Sequence, residues 1–513
     1  MDSSFSAADW AIVACYMLAV SVIGSLFYRK RSSAADYFLA GRRMRVIPVA
    51  ISLVAADLSA ITYMGIPAWG YQHDLELYLS VVVLIVIVPV VMYLFMPFYS
   101  RFKMYTGYEY LERRFDLKTR LVASSFFLLI RGSHVAIVIY APSTVLSLLT
   151  GLPLWGCILA IGTFTTFYTT LGGMKAVIWT DVIQFTVLVS GVVTVLWLSL
   201  ARIPGGLHTV YRVAMESGRF HMFNFSLNPR DLTSVWAMVL GGGTLVLSTM
   251  GTDQAYLQRY FATDSLRDGR KSVLLDVLIL IPVDGLLFLL GTVMFVFYRF
   301  YPSHLAGLTN VDDILPFFVV RELGGLFSGL VIASIFAVSM AVMSAGINSL
   351  TTVTTIDFYH RLVQHNDPTA GTVRMGRLGT VGWGVVTTLA ALFANRLGSL
   401  ANAFNVINSF LGGPILGIFL LGMLSRRTKA TATVVGAAAG MGSVAVVALA
   451  TPLSFYYLSA VGLLATMVVG YLGSLIGERP DPAKLRGLVH GHDEVVSEAM
   501  THLQPAAASN EPA

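Results

Sequence analysis

Charge is what this chain has least of. Only 12% of its 513 residues are Asp, Glu, Lys or Arg, about half the roughly 25% of a soluble domain. Hydrophobic residues make up 56%, and the mean hydropathy is +0.73. No water-soluble domain of useful size can be cut from it. Cysteine is nearly absent. Cys15 and Cys157 both sit in apolar segments, which excludes a disulfide framework and a Cys-based metal motif. There is no phosphate-binding Gly-rich loop with Lys, no zinc spacing and no His/Cys cluster. The chain is therefore not expected to be an enzyme, and no organic cofactor is expected. What it has instead is a succession of long apolar runs, as in a polytopic membrane protein.

A window of about 19 residues gives thirteen expected spans: 8–28, 46–71, 77–98, 121–149, 154–171, 177–201, 233–256, 273–299, 326–358, 378–395, 401–424, 430–450 and 455–476. The net charge is +6, and it is concentrated in alternate loops. Arg29, Lys30, Arg31, Arg42, Arg43 and Arg45 fall between the first two spans, and basic residues recur in the loops 99–120 and 257–272. Arg361, Arg374 and Arg377, then Arg426, Arg427 and Lys429, continue the pattern. The positive-inside rule makes these loops cytoplasmic. The expected arrangement is multi-pass in the plasma (inner) membrane, with the N-terminus outside and the C-terminus cytoplasmic. The positive charge belongs to loops, so no nucleic-acid partner is expected. The expected partners are the lipid bilayer and a small-molecule solute, with the protein acting as a monomer. The transmembrane domain is expected over 1–476 and a disordered tail over 477–513.

Asp57 is the most informative residue. It lies inside the second apolar run, where a carboxylate costs near 3 kcal/mol by insertion scales. Ala55, Ala56, Ser59, Ala60 and Thr62 surround it, with Gly65 and Pro67 beyond. Small and hydroxyl residues around a charge suit a helix interrupted at the membrane midplane, where freed backbone groups bind an ion or solute. A second weak point is Gly241-Gly242-Gly243 in the seventh span, although glycines alone also serve close helix packing. Paired interruptions five spans apart point to an inverted repeat, with units 46–201 and 233–424. The helix 8–28 leads, and two helices over 430–476 trail.

Three stretches then carry a family resemblance: Tyr168-Thr-Thr-Leu-Gly-Gly-Met-Lys-Ala176 running into Trp179-Thr-Asp-Val-Ile-Gln184, Gly251-Thr-Asp-Gln-Ala-Tyr-Leu-Gln-Arg-Tyr260, and Ser344-Ala-Gly-Ile-Asn-Ser349 with Asp357. In these the chain resembles the sodium/solute symporter family. The resemblance implies an all-α LeuT-type fold, a five-plus-five inverted repeat with broken first and sixth core helices. Leu58-Ser-Ala-Ile-Thr-Tyr-Met-Gly-Ile-Pro67 and Ala136-Ile-Val-Ile-Tyr140 are most similar to the sialic-acid branch.

The sites that the resemblance implies are altered. The family's main sodium site would draw carbonyls from Ala55 and Leu58 and include Val338. Its two hydroxyl positions fall on Ala341 and Val342, which have no side-chain oxygen. A hard cation needs oxygen ligands, so this site looks disabled. A second sodium site would use Asp181, Ser344 and Ala345. Asp181 and Ser344 retain the oxygens for a possible sodium ion, while structural pairing is the other reading of Asp181. Among substrate positions, a threonine of the family is here Asp57, whereas Ser59 and Thr62 are kept. The arginine that grips the sialic acid carboxylate falls on His134. Arg131 lies one turn earlier on the same helix, and a packed interface histidine is the bland reading of His134.

Secondary active transport of a small polar solute, a sugar or sugar derivative, is therefore expected. Dependence on the usual main sodium site should be weak or absent. A buried carboxylate can load a proton near neutral pH, so Asp57 makes H+ a candidate coupling ion beside Na+. An ordinary sodium-coupled sialic acid or monocarboxylate symporter is the alternative. A channel would want a repeated polar filter, and a membrane sensor an appended signalling domain. Asp276 and Asp284, eight residues apart in the eighth span, are expected to be structural.

Overall fold

The computed structural model describes residues 6–490, except 29–32, 309, 324–325, 365–369, 395–399 and 477. The basic residues Arg29, Lys30 and Arg31 and most of the expected tail lie outside the described residues. Helices form the whole architecture, and no β-strand occurs among the described residues. The elements that matter here are α1 (Ala7–Leu26), α2 (Val46–Asp57), α3 (Ala60–Gln72) and the segment α4 (Glu76–Arg101). Next come α5 (Leu117–Thr150), α6 (Leu154–Arg202), α7 (Gly243–Thr252) and α8 (Gln254–Ala262). They are followed by α9 (Leu266–Phe300), α10 (Leu326–Val353), α11 (Ala370–Ala391) and α12 (Leu400–Leu424). α13 (Ala430–Ala450) and α14 (Phe455–Gly473) close the bundle.

Local chemistry sets the helix ends. Ser6 and Asp9 form a capping box at the start of α1. Asp116 accepts from the Thr119 N–H at the start of α5, and Gly151 closes α5 in the left-handed conformation. Ser265 accepts from the Asp268 N–H to open α9.

Nine helices among the described residues are long and apolar enough to cross a membrane, or ten if the bent pair α2–α3 is one span. The expected thirteen are not reached on that measure. α6 joins two expected spans through Gly173, whose φ of 59° breaks the helical run. A Cβ there would lie 2.6 Å from the Tyr37 carbonyl, so both backbone and neighbour demand glycine. The helix over Ala237–Thr252 is short, and α11, with Arg374 and Arg377, is not among the nine.

α10 is the hub. It lies in the span Phe327–Gln364, whose most apolar window is 94% buried, against 28% for α1 and α14 and 33% for α13. α10 packs on α1, α5 and α6, and α13 and α14 pack on each other and on α12 at the edge of the bundle. Residues 478–490 correct the expectation of a disordered tail from 477. Leu488 and Val489 are buried, the Tyr110 hydroxyl donates to the Leu488 carbonyl at 2.9 Å, and the His490 N–H donates to the Met423 carbonyl.

Candidate functional site

The first helix break falls where Asp57 placed it. α2 ends at Asp57, Leu58 and Ser59 are extended, and α3 departs at 66°. Ser59 makes the restart possible, because its Oγ accepts from the Thr62 N–H at 3.3 Å and caps α3. The Ser59 and Thr62 hydroxyls are 3.2 Å apart. Carbonyls at the end of α2 lose their intrahelical partners here. Asp57 is exposed although Ala56 and Leu58 are 4% and 1% exposed. Thr62 and Gly65 are part-buried, and a Cβ on Gly65 would meet nothing within 4 Å. The carboxylate and this face of α3 thus border open space inside the bundle.

The second break is not at Gly241–Gly243. Those glycines stay helical, with a π-turn over Ala237–Gly242 leading into α7. A Cβ on Gly241 would lie 2.4 Å from the Tyr456 backbone, so that glycine serves close packing against α14. The chain breaks instead at Asp253, whose φ and ψ of −76° and 126° separate α7 from α8. Its Oδ1 accepts from the Ala255 N–H at 2.8 Å and caps α8. Carboxylates therefore stand at both breaks, and the second lay in the quoted stretch Gly251–Tyr260. Its capping role was the available signal.

The two breaks are wired together. The Tyr256 hydroxyl, one turn into α8, donates to Asp57 Oδ1. Asp253 forms an ion pair with Arg131 of α5. Arg131 Nη1 lies 3.2 Å from His134 Nδ1. Four of the five expected substrate residues, Asp57, Ser59, Thr62 and Arg131, thus lie at the two breaks or bond to them, and His134 rests on Arg131. Arg131 is committed to Asp253 rather than aimed into open space. Tyr256 and Asp253 complete the cluster and were not singled out for it from sequence.

The expected ion positions look different. Ala55, Leu58, Val338, Ala341, Val342 and Ala345 are at most 2% exposed. Ser344 Oγ donates to the Ala341 carbonyl at 3.0 Å, and Ser339 Oγ to Ile335 at 2.9 Å. Both hydroxyls thus bond to their own helix. Asp181 is fully buried. Its Oδ2 accepts from Ser52 Oγ at 2.5 Å and from Arg259 Nη2 at 2.9 Å. Arg259 Nε also donates to Ser52 Oγ, and Nη1 to the Ala255 carbonyl. A guanidinium with three bonds already neutralises the acid that a second sodium would need. At the opposite end of α3, Asp74, Glu76 and His221 come together. His221 Nδ1 is 3.1 Å from Glu76 Oε1, a loop contact that sequence spacing did not announce.

Two helices interrupted at facing points and joined by a polar cluster inside a helical bundle define a membrane transporter of LeuT type. The chain belongs to the sodium:solute symporter family, whose description it matches over residues 37–441. It is 32% identical to the sodium/sialic acid symporter NanT of Aliivibrio fischeri, over 91% of this chain and 93% of that protein. It is also 32% identical to sodium-coupled monocarboxylate transporter 2 of Danio rerio, over 85% of this chain and 71% of the other. Among solved structures, it is similar to a substrate-bound, outward-open Na+-coupled sialic acid symporter. The TM-score is 0.88 with 28% identity, covering 93% of this chain and 99% of that one.

Proposed function

We propose that this transporter moves a small polar solute, a sugar or sugar derivative, by alternating access through the space between the Asp57–Ser59 and Asp253 breaks. Asp57 carries the proposal, because it is an exposed carboxylate between buried neighbours at a helix break. Asp57, Ser59 and Thr62 offer hydrogen-bonding groups to hydroxyls. Arg131 is held by Asp253 and His134 stands where the sialic-acid branch has its arginine, so the site is ill suited to gripping a carboxylate.

Coupling follows from the same residues. Ala341 and Val342 bring no side-chain oxygen, and Asp181 is held by Arg259. Dependence on the family's main sodium site is weak or absent in this reading, Arg259 occupies the acid of the second site of the sialic-acid branch, and Asp57 carries a proton in their place. The protein acts as a monomer, with the basic loops cytoplasmic and the N-terminus outside. A sodium-coupled reading draws on the relatives, whose names specify sodium, and on Asp57 as a ligand beside the Ala55 and Leu58 carbonyls.

Uptake into proteoliposomes decides between them. Sugars, sialic acids, polyols and amino acids are offered at fixed membrane potential, in sodium and in choline, over about pH 5.5 to 8. Saturable uptake that follows pH and survives choline is expected. Steep sodium dependence retained in Asp57→Asn would refute the coupling, and conductance without saturable exchange would refute transport.

A further inference from the structure

α9 carries two acids that the cluster at the breaks leaves over. Asp276 and Asp284 are 1% and 4% exposed. Each has a buried Oδ1 with no hydrogen-bond partner among the described residues, and neither forms an ion pair among them. Eight residues at 1.5 Å each separate them by about 12 Å along the helix.

Contacts along α9 fix where Asp57 stands between them. Ser272 Oγ donates to the Val46 carbonyl at the start of α2. At the other end, a Cβ on Gly291 would lie 2.3 Å from the Pro67 carbonyl in α3. α9 therefore runs parallel to the α2–α3 pair, and Asp57 falls at a level between Asp276 and Asp284. The charged and titratable neighbours of Asp276 are Asp57, Arg259, Tyr256 and Tyr260. Those of Asp284 are Asp57 and Tyr78. Arg259 directs its hydrogen bonds to Ser52, Asp181 and Ala255 instead, and Tyr78 donates to the Ile281 carbonyl.

A carboxylate in this setting must take up a proton or a cation, because desolvation without a donor or countercharge is too costly. One cation cannot serve all three acids. Ligands around one ion lie within about 5 Å of each other. Among the described residues the only such group of three is Asp74, Glu76 and His221, outside this region. Separate protons meet the need. The route also has an end. Two turns before Asp276, Asp268 lines an open groove of about 530 Å³ with Arg43, Arg45 and Asp264, on the side of the basic loops.

We propose that Asp276 and Asp284 are proton-binding residues which, with Asp57 between them, form a proton route along α9 from Asp284 past the helix break to Asp276 and the groove at Asp268. The inference rests on the proton-coupled reading of Asp57. Each hop moves one proton from a carboxyl O–H to a neighbouring carboxylate oxygen, through water or the Tyr256 hydroxyl between Asp57 and Asp276. The last proton passes to water in the groove, and each emptied carboxylate is refilled from the opposite side.

Infrared difference spectroscopy of the purified full chain, titrated with pH in sodium and in choline, tests the route without a transported substrate. The carboxylic C=O stretches of two protonated acids are expected at neutral pH. Asp276→Asn and Asp284→Asn each remove one, and both titrate as pH rises. Asp57→Asn removes a nearby negative charge and shifts both titrations to lower pH by about one pH unit. Ionised acids at neutral pH would overturn the proposal, as would bands that answer to sodium but not pH. So would titrations indifferent to Asp57→Asn. Sodium-driven, pH-independent uptake would refute the coupling reading and the route with it, while the infrared bands report independently whether Asp276 and Asp284 hold protons.

Discussion

Asp57 and Asp181 are both acids within membrane helices, and their surroundings make them opposites. Asp181 is fully buried, with Ser52 and Arg259 on one oxygen. Asp57 is exposed at a break and receives a hydroxyl from Tyr256. A buried acid beside a buried arginine holds helices together, whereas an acid facing open space can exchange what it binds. The difference teaches that an intramembrane carboxylate acquires its role from its partner.

Replacing Asp57 breaks the comparison most directly. Asp57→Asn should abolish accumulation, from a ceiling of roughly 50-fold per 100 mV for one coupled charge to near equality. The fold should persist. Concentrative uptake and the melting curve of the same preparation check both halves, and undiminished accumulation would return Asp57 to a packing role.

Asp181 should answer the other way. Asp181→Asn leaves the Arg259 charge buried and unpaired, a loss of about 3 kcal/mol. Asp181→Asn with Arg259→Gln should recover part of it, as thermal unfolding in detergent would measure. Lost sodium stimulation with unchanged stability would instead make Asp181 an ion ligand.

His134→Arg sharpens the comparison at the substrate positions. An added guanidinium should favour an anion by roughly tenfold in affinity, since charge-assisted bonds contribute about 1.5 kcal/mol or more. Thermal-shift titration with N-acetylneuraminate reads this out. Strong binding already in the wild type would remove the argument for a neutral solute.

The smallest effect lies outside the membrane. Burial pushes the Glu112 carboxyl up, but hydrogen bonds from Arg361 and Arg120 outweigh it and hold it below its ordinary range. A depressed carboxyl stabilises the fold above its unfolded value of about 4.3, and this is lost as pH falls through the lower folded value. Its partner Arg361 is 41% exposed and screened by solvent, so the contribution is below about 1 kcal/mol. Melting temperature should decline below about pH 4, less steeply in Glu112→Gln.

Much of the bundle was legible because apolar runs and basic loops are one-dimensional signals. Asp57 announced its own break, since a charge among small residues is costly anywhere else in the bilayer. Gly241–Gly243 misled for an equally physical reason. Glycine weakens a helix and also lets backbones touch, and only Tyr456 decides which. Asp253 gave a weaker signal, a possible cap inside a family stretch.

By itself the sequence determined a polytopic helical membrane protein, its family, the first helix break and the absence of hydroxyls at Ala341 and Val342. Composition and fixed residue types suffice for these. Tertiary structure alone decided that Asp253 is the second break and holds Arg131, and that Arg259 reaches Asp181 from 78 positions away. It also decided that Asp276 and Asp284 stand on either side of the level of Asp57. Partnership between distant side chains depends on how helices pack, and spacing along one chain does not encode it.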